Sequence, residues 1–288
     1  MILRLEQVAI AFGAKRVLDG VSCDIARGET VALMGANGTG KTTLLRCVLG
    51  LLQHRGRILI DGFDVRSDGV RARERVAYVP QVPAFFDMTA REVVHFVARL
   101  RRVPIASSDA ALDRLGLAGD ADRPVRVFSG GMQQRLSLAA ALVGDPPLIL
   151  LDEPTANLDP AARADILELL LGFKRSGKTM VLSSHRAHEV RGLADRVIFL
   201  RDGRIATQGR PAEVLPPDRL ALSVEAHTAE EKARIGAILQ MNGLPSLNGT
   251  FEGALDSANV AAVVQRLLEA GVARERISVR AMDDGGLS

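Results

Sequence analysis

The sequence predicts an α/β fold with a largely parallel core sheet, followed by a small α+β module. Three observations predict it. Apolar runs typical of buried strands alternate with helical periodicity through most of the chain. A glycine-rich loop with the phosphate-binding pattern joins one of these strands to a helix. Pro216-Pro217 then marks a boundary, after which a new order of strands and helices begins.

The first 30 residues predict short antiparallel strands, with turns at Gly13 and at Asp19-Gly20. Residues 30–34 are apolar after Thr30 and predict a buried strand, and residues 43–49 predict a helix that stops near Gly50. The glycine-rich loop lies between this strand and this helix. That is the structural context that a phosphate-binding loop requires.

The loop Gly35-Ala36-Asn37-Gly38-Thr39-Gly40-Lys41-Thr42 fits Gly-x-x-x-x-Gly-Lys-Ser/Thr. Its glycines let the backbone N–H groups point inward, and the following helix adds the positive end of its dipole. We expect the lysine to reach the β- and γ-phosphates and the last threonine to ligate Mg²⁺. The candidate nucleotide-binding residues of this segment are Gly35, Ala36, Asn37, Gly38, Thr39, Gly40, Lys41, Thr42 and Thr43.

A second acidic site follows the apolar run of residues 148–151, which is typical of a parallel strand buried on both faces. Asp152 and Glu153 emerge at the carboxyl end of this strand, the edge where ligands gather in open α/β sheets. We expect Asp152 to bind Mg²⁺ or its water. Glu153, one residue further on, is the candidate general base that activates the attacking water.

Helical periodicity dominates between these two sites and predicts an inserted helical subdomain at about residues 84–145. Within it, Ser129-Gly130-Gly131 precedes a helix that begins near Gln133. A serine hydroxyl and glycine amides at a helix N-terminus form a second site for an anion. Its position, between a phosphate-binding loop and an acidic strand end, makes this short motif specific.

With these motifs the chain resembles the ATP-binding-cassette (ABC) ATPases over roughly residues 1–215. The family signature is Leu-Ser-Gly-Gly-Gln, and this sequence differs from it at Phe128 and Met132. The resemblance implies that two cassettes pair head to tail, so that each ATP lies between the loop of one subunit and the signature of the other. The residues implied to act across the dimer are Ser129, Gly130, Gly131, Met132 and Gln133.

The resemblance assigns four further residues. Gln81 resembles the glutamine that contacts Mg²⁺ or the attacking water, and His185 resembles the histidine that contacts the γ-phosphate and positions the base. Asp159 resembles the main residue of a loop that crosses the dimer interface. Phe12 resembles the aromatic side chain that stacks on adenine. The implied catalytic set is therefore Glu153, His185 and Gln81, and the implied metal ligands are Thr42, Gln81 and Asp152.

The resemblance implies an ATPase that uses ATP and Mg²⁺ and powers a membrane transporter. Its expected partners are transmembrane permease subunits on separate chains and a second ATP-binding subunit, in a homodimer or a heterodimer. A net charge of +3 gives no reason to expect nucleic acid. We expect a cytoplasmic protein, peripheral on the inner face of the membrane, and the pattern favours a bacterial exporter-type ATPase. The alternative is a soluble ABC ATPase that acts on a cytosolic assembly scaffold.

The domain prediction places the ATPase at residues 1–216 and a small α+β module at residues 217–288. In the module, the pattern predicts the order βαββαβ, including a turn at Asn248-Gly249, which suggests a ferredoxin-like fold. The module has no concentration of catalytic residue types. A regulatory or interaction role and a passive stabilising role therefore both remain open.

Overall fold

The computed structural model of the chain describes residues 1–83, 87–215, 219–240, 246–247 and 250–281. These residues form two compact units. The first consists of residues 1–214 apart from 186–188, and the second includes the residues from Leu215 onward. The predicted domain boundary, between residues 216 and 217, lies outside the described residues and stays a prediction.

The first unit contains ten strands and eight α-helices within its described residues. The strands are β1 (Leu3–Phe12), β2 (Lys15–Ile25), β3 (Thr30–Met34), β4 (Arg55–Ile60), β5 (Phe63–Asp64), β6 (Val76–Val79), β7 (Leu148–Asp152), β8 (Thr179–Ser183), β9 (Arg196–Arg201) and β10 (Arg204–Gly209). The helices are α1 (Lys41–Val48), α2 (Gly69–Glu74), α3 (Ala90–Arg101), α4 (Ala106–Arg114), α5 (Gly130–Leu142), α6 (Pro160–Arg175), α7 (Ala187–Leu193) and α8 (Pro211–Val214).

A six-stranded sheet in the order β10-β9-β3-β8-β7-β6 forms the centre of this unit. All of its strands are parallel except β10, which forms an antiparallel hairpin with β9. Every residue of β3, β7 and β8 is buried, as expected for parallel strands covered on both faces. Because these strands are parallel, their carboxyl ends meet at one edge, where the glycine-rich loop, Asp152 and His185 follow them. The predicted α/β fold is confirmed.

A second, antiparallel sheet has the order β2-β1-β4-β5 and contains the predicted N-terminal strands. The prediction of a turn at Asp19-Gly20 is wrong, because β2 continues through both residues. Val8 pairs with Val21 and Ile10 pairs with Leu18, so two residues of β2 oppose one residue of β1. Asp19 and Gly20 form a β-bulge, in which Gly20 takes φ +74°.

Three α-helices, α3, α4 and α5, lie between β6 and β7 and correspond to the predicted helical insertion. The start of α3 is fixed by a capping box, in which the Thr89 hydroxyl accepts from the backbone of Glu92 and the Glu92 side chain accepts from the backbone of Thr89. The first three residues of the predicted range, 84–86, lie outside the described part of the chain. Among the residues described, no helix is both long enough and apolar enough to cross a membrane.

The second unit contains β11 (Arg219–Glu225), α9 (Ala229–Gln240), β12 (Ser246–Leu247), β13 (Thr250–Asp256), α10 (Ser257–Glu269) and β14 (Ile277–Ala281). Its strands form an antiparallel sheet in the order β12-β13-β11-β14. The element order agrees with the predicted βαββαβ pattern, and the predicted turn at residues 248–249 lies outside the described residues. The buried core comprises Leu222, Val224, Ile235, Leu239, Val260, Val263, Leu267 and Val272.

Candidate active site

Two glycines of the loop after β3 lie so close to neighbouring strands that no side chain would fit. Gly35 has φ +144°, and a Cβ added there would lie 2.3 Å from the carbonyl oxygen of Leu200. Gly40 has φ +104°, and its Cβ would lie 2.9 Å from the carbonyl oxygen of Val17. The loop therefore curls tightly between the sheet and the N-terminus of α1, which begins at Lys41.

The Lys41 side chain lies within this loop and is only 6% exposed. Its Nζ donates hydrogen bonds to the carbonyl oxygen of Gly35, at 2.7 Å, and to that of Ala36, at 3.2 Å. Burial lowers the pKa of Lys41, while the nearby charges of Glu153 and Asp152 act in the opposite direction. The loop thus holds an amine whose present partners are weak enough to be replaced by phosphate oxygens.

Asp152 is the buried centre of the hydrogen-bond network at the end of β7, with an exposed fraction of 2%. Its Oδ1 accepts from the hydroxyl of Thr42, at 3.0 Å, and from the hydroxyl of Ser183, at 2.6 Å. Its Oδ2 accepts from the phenol of Tyr78, at 3.1 Å. Burial, followed by the charge of Asp152, raises the pKa of Tyr78 to about 12. Residues of α1, β6 and β8 therefore converge on one carboxylate.

Glu153 and His185 are in close contact beside this network. Glu153 Oε2 lies 3.1 Å from Nδ1 of His185, with side-chain exposures of 13% and 48%. The Glu153 backbone takes φ +45°, and its N–H donates to the hydroxyl and carbonyl oxygens of Ser183. The backbone of β8 thus fixes the residue that is the candidate base.

The signature segment forms the first turn of α5. The Ser129 hydroxyl caps this helix by accepting from the N–H of Met132, at 3.3 Å. A Cβ on Gly131 would lie 2.9 Å from Cβ of Ala162 in α6, whereas a Cβ on Gly130 would lie 3.5 Å from Leu158. Gly131 is therefore required for the close packing of α5 on α6. The Gln133 side chain donates to the carbonyl oxygen of Phe128, at 3.3 Å.

The remaining predicted residues occupy separate positions. Asp159 caps α6, where its Oδ1 accepts from the backbone of Ala161 and Ala162 at 3.0 and 2.9 Å. Gln81 is exposed and follows β6 by two residues, and Phe12, at the end of β1, is 52% exposed. An exposed aromatic ring of this kind has a free face on which an adenine could stack.

The structure also contains site residues that the sequence reading did not single out. Ser183 and Tyr78 contact Asp152 directly, although 31 and 74 residues separate them from it. The available signal was strand pairing, because Asp152 is in register with Ser183 in the parallel sheet. Recognising Tyr78 would have required knowing that β6 and β7 are neighbours.

The fold agrees with that of known proteins. The family described as ABC transporter matches residues 18–156. Among solved structures, cbiO1 from Clostridium perfringens, part of the ABC transporter complex cbiONQ, superposes with a TM-score of 0.68 and 33% identity. The superposition covers 74% of this chain and 90% of that protein.

Two curated relatives extend the comparison. The Nod factor export ATP-binding protein I of Ralstonia nicotianae is 37% identical over an aligned length of 220 residues. The alignment covers 74% of this chain and 68% of the relative. The daunorubicin resistance ATP-binding protein DrrA3 of Streptomyces coeruleorubidus is 32% identical over an aligned length of 285 residues. The alignment covers 93% of this chain and 89% of the relative. The chain therefore belongs to the ATP-binding subunits of ABC transporters, and it binds and hydrolyses ATP.

Proposed function

We propose that this protein powers a membrane transporter as one of two ATP-binding subunits that close around two ATP molecules. The observation that carries the proposal is the close contact of Glu153 with His185, at the same sheet edge as Lys41 and Asp152. A carboxylate beside a histidine and a phosphate-binding loop is a suitable arrangement for activating water against a γ-phosphate.

ATP binding begins with the loop of residues 35–43. The backbone N–H groups and the N-terminus of α1 bind the β- and γ-phosphates. Lys41 exchanges its two carbonyl partners for phosphate oxygens, with which its positive charge interacts more strongly. Phe12 stacks on the adenine ring. None of these steps requires the loop to refold, because its glycines already hold the curled backbone.

The oxygen donors at this edge fit Mg²⁺, a hard cation that nucleotide sites bind through one or two protein oxygens and the phosphates. Thr42 and Asp152 already share a hydrogen bond, and Asp152 is a buried carboxylate that accepts from three hydroxyl groups. We infer that Thr42, Asp152 and Gln81 hold the ion or its water. When bound, it neutralises charge on the β- and γ-phosphate oxygens.

Hydrolysis then depends on Glu153 as general base. Its carboxylate accepts a proton from the attacking water, and His185, whose Nδ1 lies 3.1 Å from that carboxylate, helps to position it. Because Nδ1 faces Glu153, Nε2 of His185 is the ring nitrogen that contacts the γ-phosphate in this proposal. The histidine therefore links the position of the base to the presence of the phosphate.

A second ATP-binding subunit completes each site in this proposal. The segment from Ser129 to Gln133, at the start of α5, binds the γ-phosphate of the ATP held by the partner. The Ser129 hydroxyl and the amides of Gly130 and Gly131 make the contacts. Asp159 lies at the interface. ATP binding favours the closed pair, and hydrolysis removes the shared phosphate and opens it.

The partner that uses this movement is a transmembrane permease on a separate chain, at the inner face of the membrane. The names of the two relatives reported above, for export and for drug resistance, favour an export system. On α3, Phe96 and Leu100 lie one turn apart and are 52% and 66% exposed, and Val82 is 70% exposed. Exposed apolar side chains of this size are typical of a protein interface.

We propose that residues 217–288 form a small ferredoxin-like module with a regulatory or interaction role. The βαββαβ order and the antiparallel sheet order β12-β13-β11-β14 support this assignment. The module has a core of its own, so the ATPase domain is expected to fold when the chain ends at residue 216. A truncated protein that is insoluble would contradict this division.

The dimer is tested by measuring molar mass with light scattering. Glu153→Gln, mixed with Mg²⁺ and ATP, is expected to double in mass from the protomer value of 30.8 kDa. The double variant Glu153→Gln with Ser129→Arg is the matched control and should stay monomeric, because the bulky cation blocks the signature. A monomer for both proteins would contradict a homodimer, and mixing with a homologous subunit would then test a heterodimer.

The permease is tested by purifying the tagged protein from gently solubilised membranes. A polytopic membrane protein is expected to co-purify in stoichiometric amount, and Phe96→Asp with Leu100→Asp should reduce its recovery. Recovery of a soluble assembly scaffold in place of a membrane protein would contradict the transport role.

A further inference from the structure

Glu189 is a buried carboxylate in α7 to which no role has been given above. It lies four residues after His185 and is 5% exposed. An ionised carboxylate is costly to bury unless it is hydrogen-bonded and paired with a positive charge. Because Glu189 follows His185 so closely in the chain, the residues that Glu189 contacts are relevant to catalysis.

The contacts of Glu189 reach the loop that follows the candidate base. Its Oε2 accepts from the hydroxyl of Thr155, at 2.6 Å, and Thr155 is itself only 3% exposed. Its Oε1 lies 3.6 Å from Nε of Arg163 in the first turn of α6. Arg163 also donates to the carbonyl oxygen of Leu158, at 3.1 Å. One carboxylate therefore holds both ends of the segment from Thr155 to Arg163.

This segment is in contact with the signature turn. A Cβ on Gly130 would lie 3.5 Å from Leu158, and a Cβ on Gly131 would lie 2.9 Å from Ala162. Asp159, which caps α6, lies between these two contact points. Glu189 consequently supports a segment that begins beside Glu153 and ends beneath the signature glycines.

We propose that Glu189 is a positioning residue for ATP hydrolysis, which acts by tying the loop after Glu153 to the helix after His185. It does not act on the substrate itself. The base and the histidine follow different strands, β7 and β8, and their side chains are 3.1 Å apart at the closest polar atoms. The contact of Thr155 with Glu189 is a second tie between the same two segments, in the buried interior. The inference rests on the proposed roles of Glu153 and His185.

The geometry explains why such a tie matters. A displacement of about 1 Å at a reacting group can reduce a rate by about a hundredfold. The Glu153 backbone is held by Ser183, but Thr155 is beyond that contact and follows a residue with positive φ and a proline. The hydrogen bond from Thr155 to Glu189 therefore fixes the loop beyond the point at which β8 holds the backbone.

The test compares Thr155→Val with Thr155→Ser, a pair in which only the serine variant keeps the hydroxyl. We expect Thr155→Val to lower kcat about tenfold, because the variant loses a hydrogen bond to a charged group. The KM for ATP should stay within about twofold of the wild type. Thr155→Ser should recover most of the loss in kcat.

A double-variant cycle with His185→Ala separates this inference from the proposed function. If Glu189 acts through the pair of Glu153 and His185, Thr155→Val should cost less than about twofold when His185 is already alanine. Unchanged kcat in His185→Ala alone would contradict the proposed function. Reduced kcat in His185→Ala, with wild-type kcat in folded Thr155→Val, would overturn only the inference.

If Thr155→Val fails to fold, Glu189→Gln provides the second variant. The amide keeps an acceptor for Thr155 but loses the charge that faces Arg163. We expect a lower kcat, with ATP affinity within about twofold of the wild type. A loss of thermal stability without any change in kcat would show a purely structural role and overturn the inference.

Discussion

The hydroxyl of Thr42 donates a 3.0 Å hydrogen bond to Oδ1 of Asp152, although 110 residues separate the two in the chain. This contact joins the first turn of α1 to the end of β7. Ser183 and Tyr78 complete the network around the same carboxylate. The phosphate-binding loop is therefore fixed to the acidic edge of the sheet by a charged and buried group.

Tyr78 is the only tyrosine of the chain, and the chain has no tryptophan, so its ionisation can be followed by ultraviolet absorbance. Burial, and then the charge of Asp152, raise its pKa to about 12. We predict that Asp152→Asn lowers this pKa but leaves it above the ordinary value of about 10, because the effect of burial remains. Asparagine keeps an acceptor for Thr42 and Ser183, which preserves the packing.

The sign of the linked stability effect follows from the raised pKa. The phenol contributes stability that is fully present below about pH 10 and is lost as the pH rises through about 12. A rapid pH jump with absorbance detection measures the pKa before alkaline unfolding. A midpoint near 10 in the wild type would contradict the contact with Asp152.

The charge of Lys41 is held at a cost in desolvation, since burial lowers its pKa. We predict that Lys41→Met weakens ATP binding by more than about a hundredfold, because a charge-assisted contact to two phosphates is lost. The free energy of unfolding should change by less than about 1 kcal/mol, since removing a buried charge offsets the loss of two hydrogen bonds. Titration with a fluorescent ATP analogue and urea unfolding measure the two quantities, and a large loss of stability with unchanged affinity would refute this assignment.

Gly130 and Gly131 form a matched pair in the signature turn, and alanine at either position keeps the backbone N–H. A Cβ on Gly131 would lie 2.9 Å from Cβ of Ala162, closer than real contacts allow, whereas the distance for Gly130 is an ordinary 3.5 Å. We predict that Gly131→Ala reduces the free energy of unfolding by about 1–3 kcal/mol, as overpacking does.

Gly130→Ala is the control and should be neutral or slightly stabilising, because alanine is the better residue in a helix. Urea unfolding of both variants measures the difference. Equal stability of the two variants would contradict the close packing of α5 against α6.

Local patterns predicted the parts of the site that depend on neighbouring residues. The close approaches at Gly35 and Gly40 explain why the loop has glycine there, and the buried run of β7 explains why Asp152 and Glu153 emerge at the edge. The mistaken turn at Asp19-Gly20 has a non-local cause, since pairing with β1 converts the turn-forming residues into a bulge.

The sequence could not predict which side chains surround the acidic residues. Tyr78, Ser183 and Glu189 reach their partners through strand order and helix packing, across 31 to 74 residues of chain. The short strand β5 was also missed, because two residues carry too little periodicity to be recognised.

The role of Glu153 as general base is tested most directly by the hydrolysis rate of Glu153→Gln, measured together with its affinity for ATP. Glutamine keeps the shape of the side chain beside His185 but cannot take a proton from water. We predict a loss of turnover of at least about a hundredfold, with ATP affinity equal to or tighter than that of the wild type. Hydrolysis at the wild-type rate, with ATP bound normally, would contradict the assignment of Glu153 as the base.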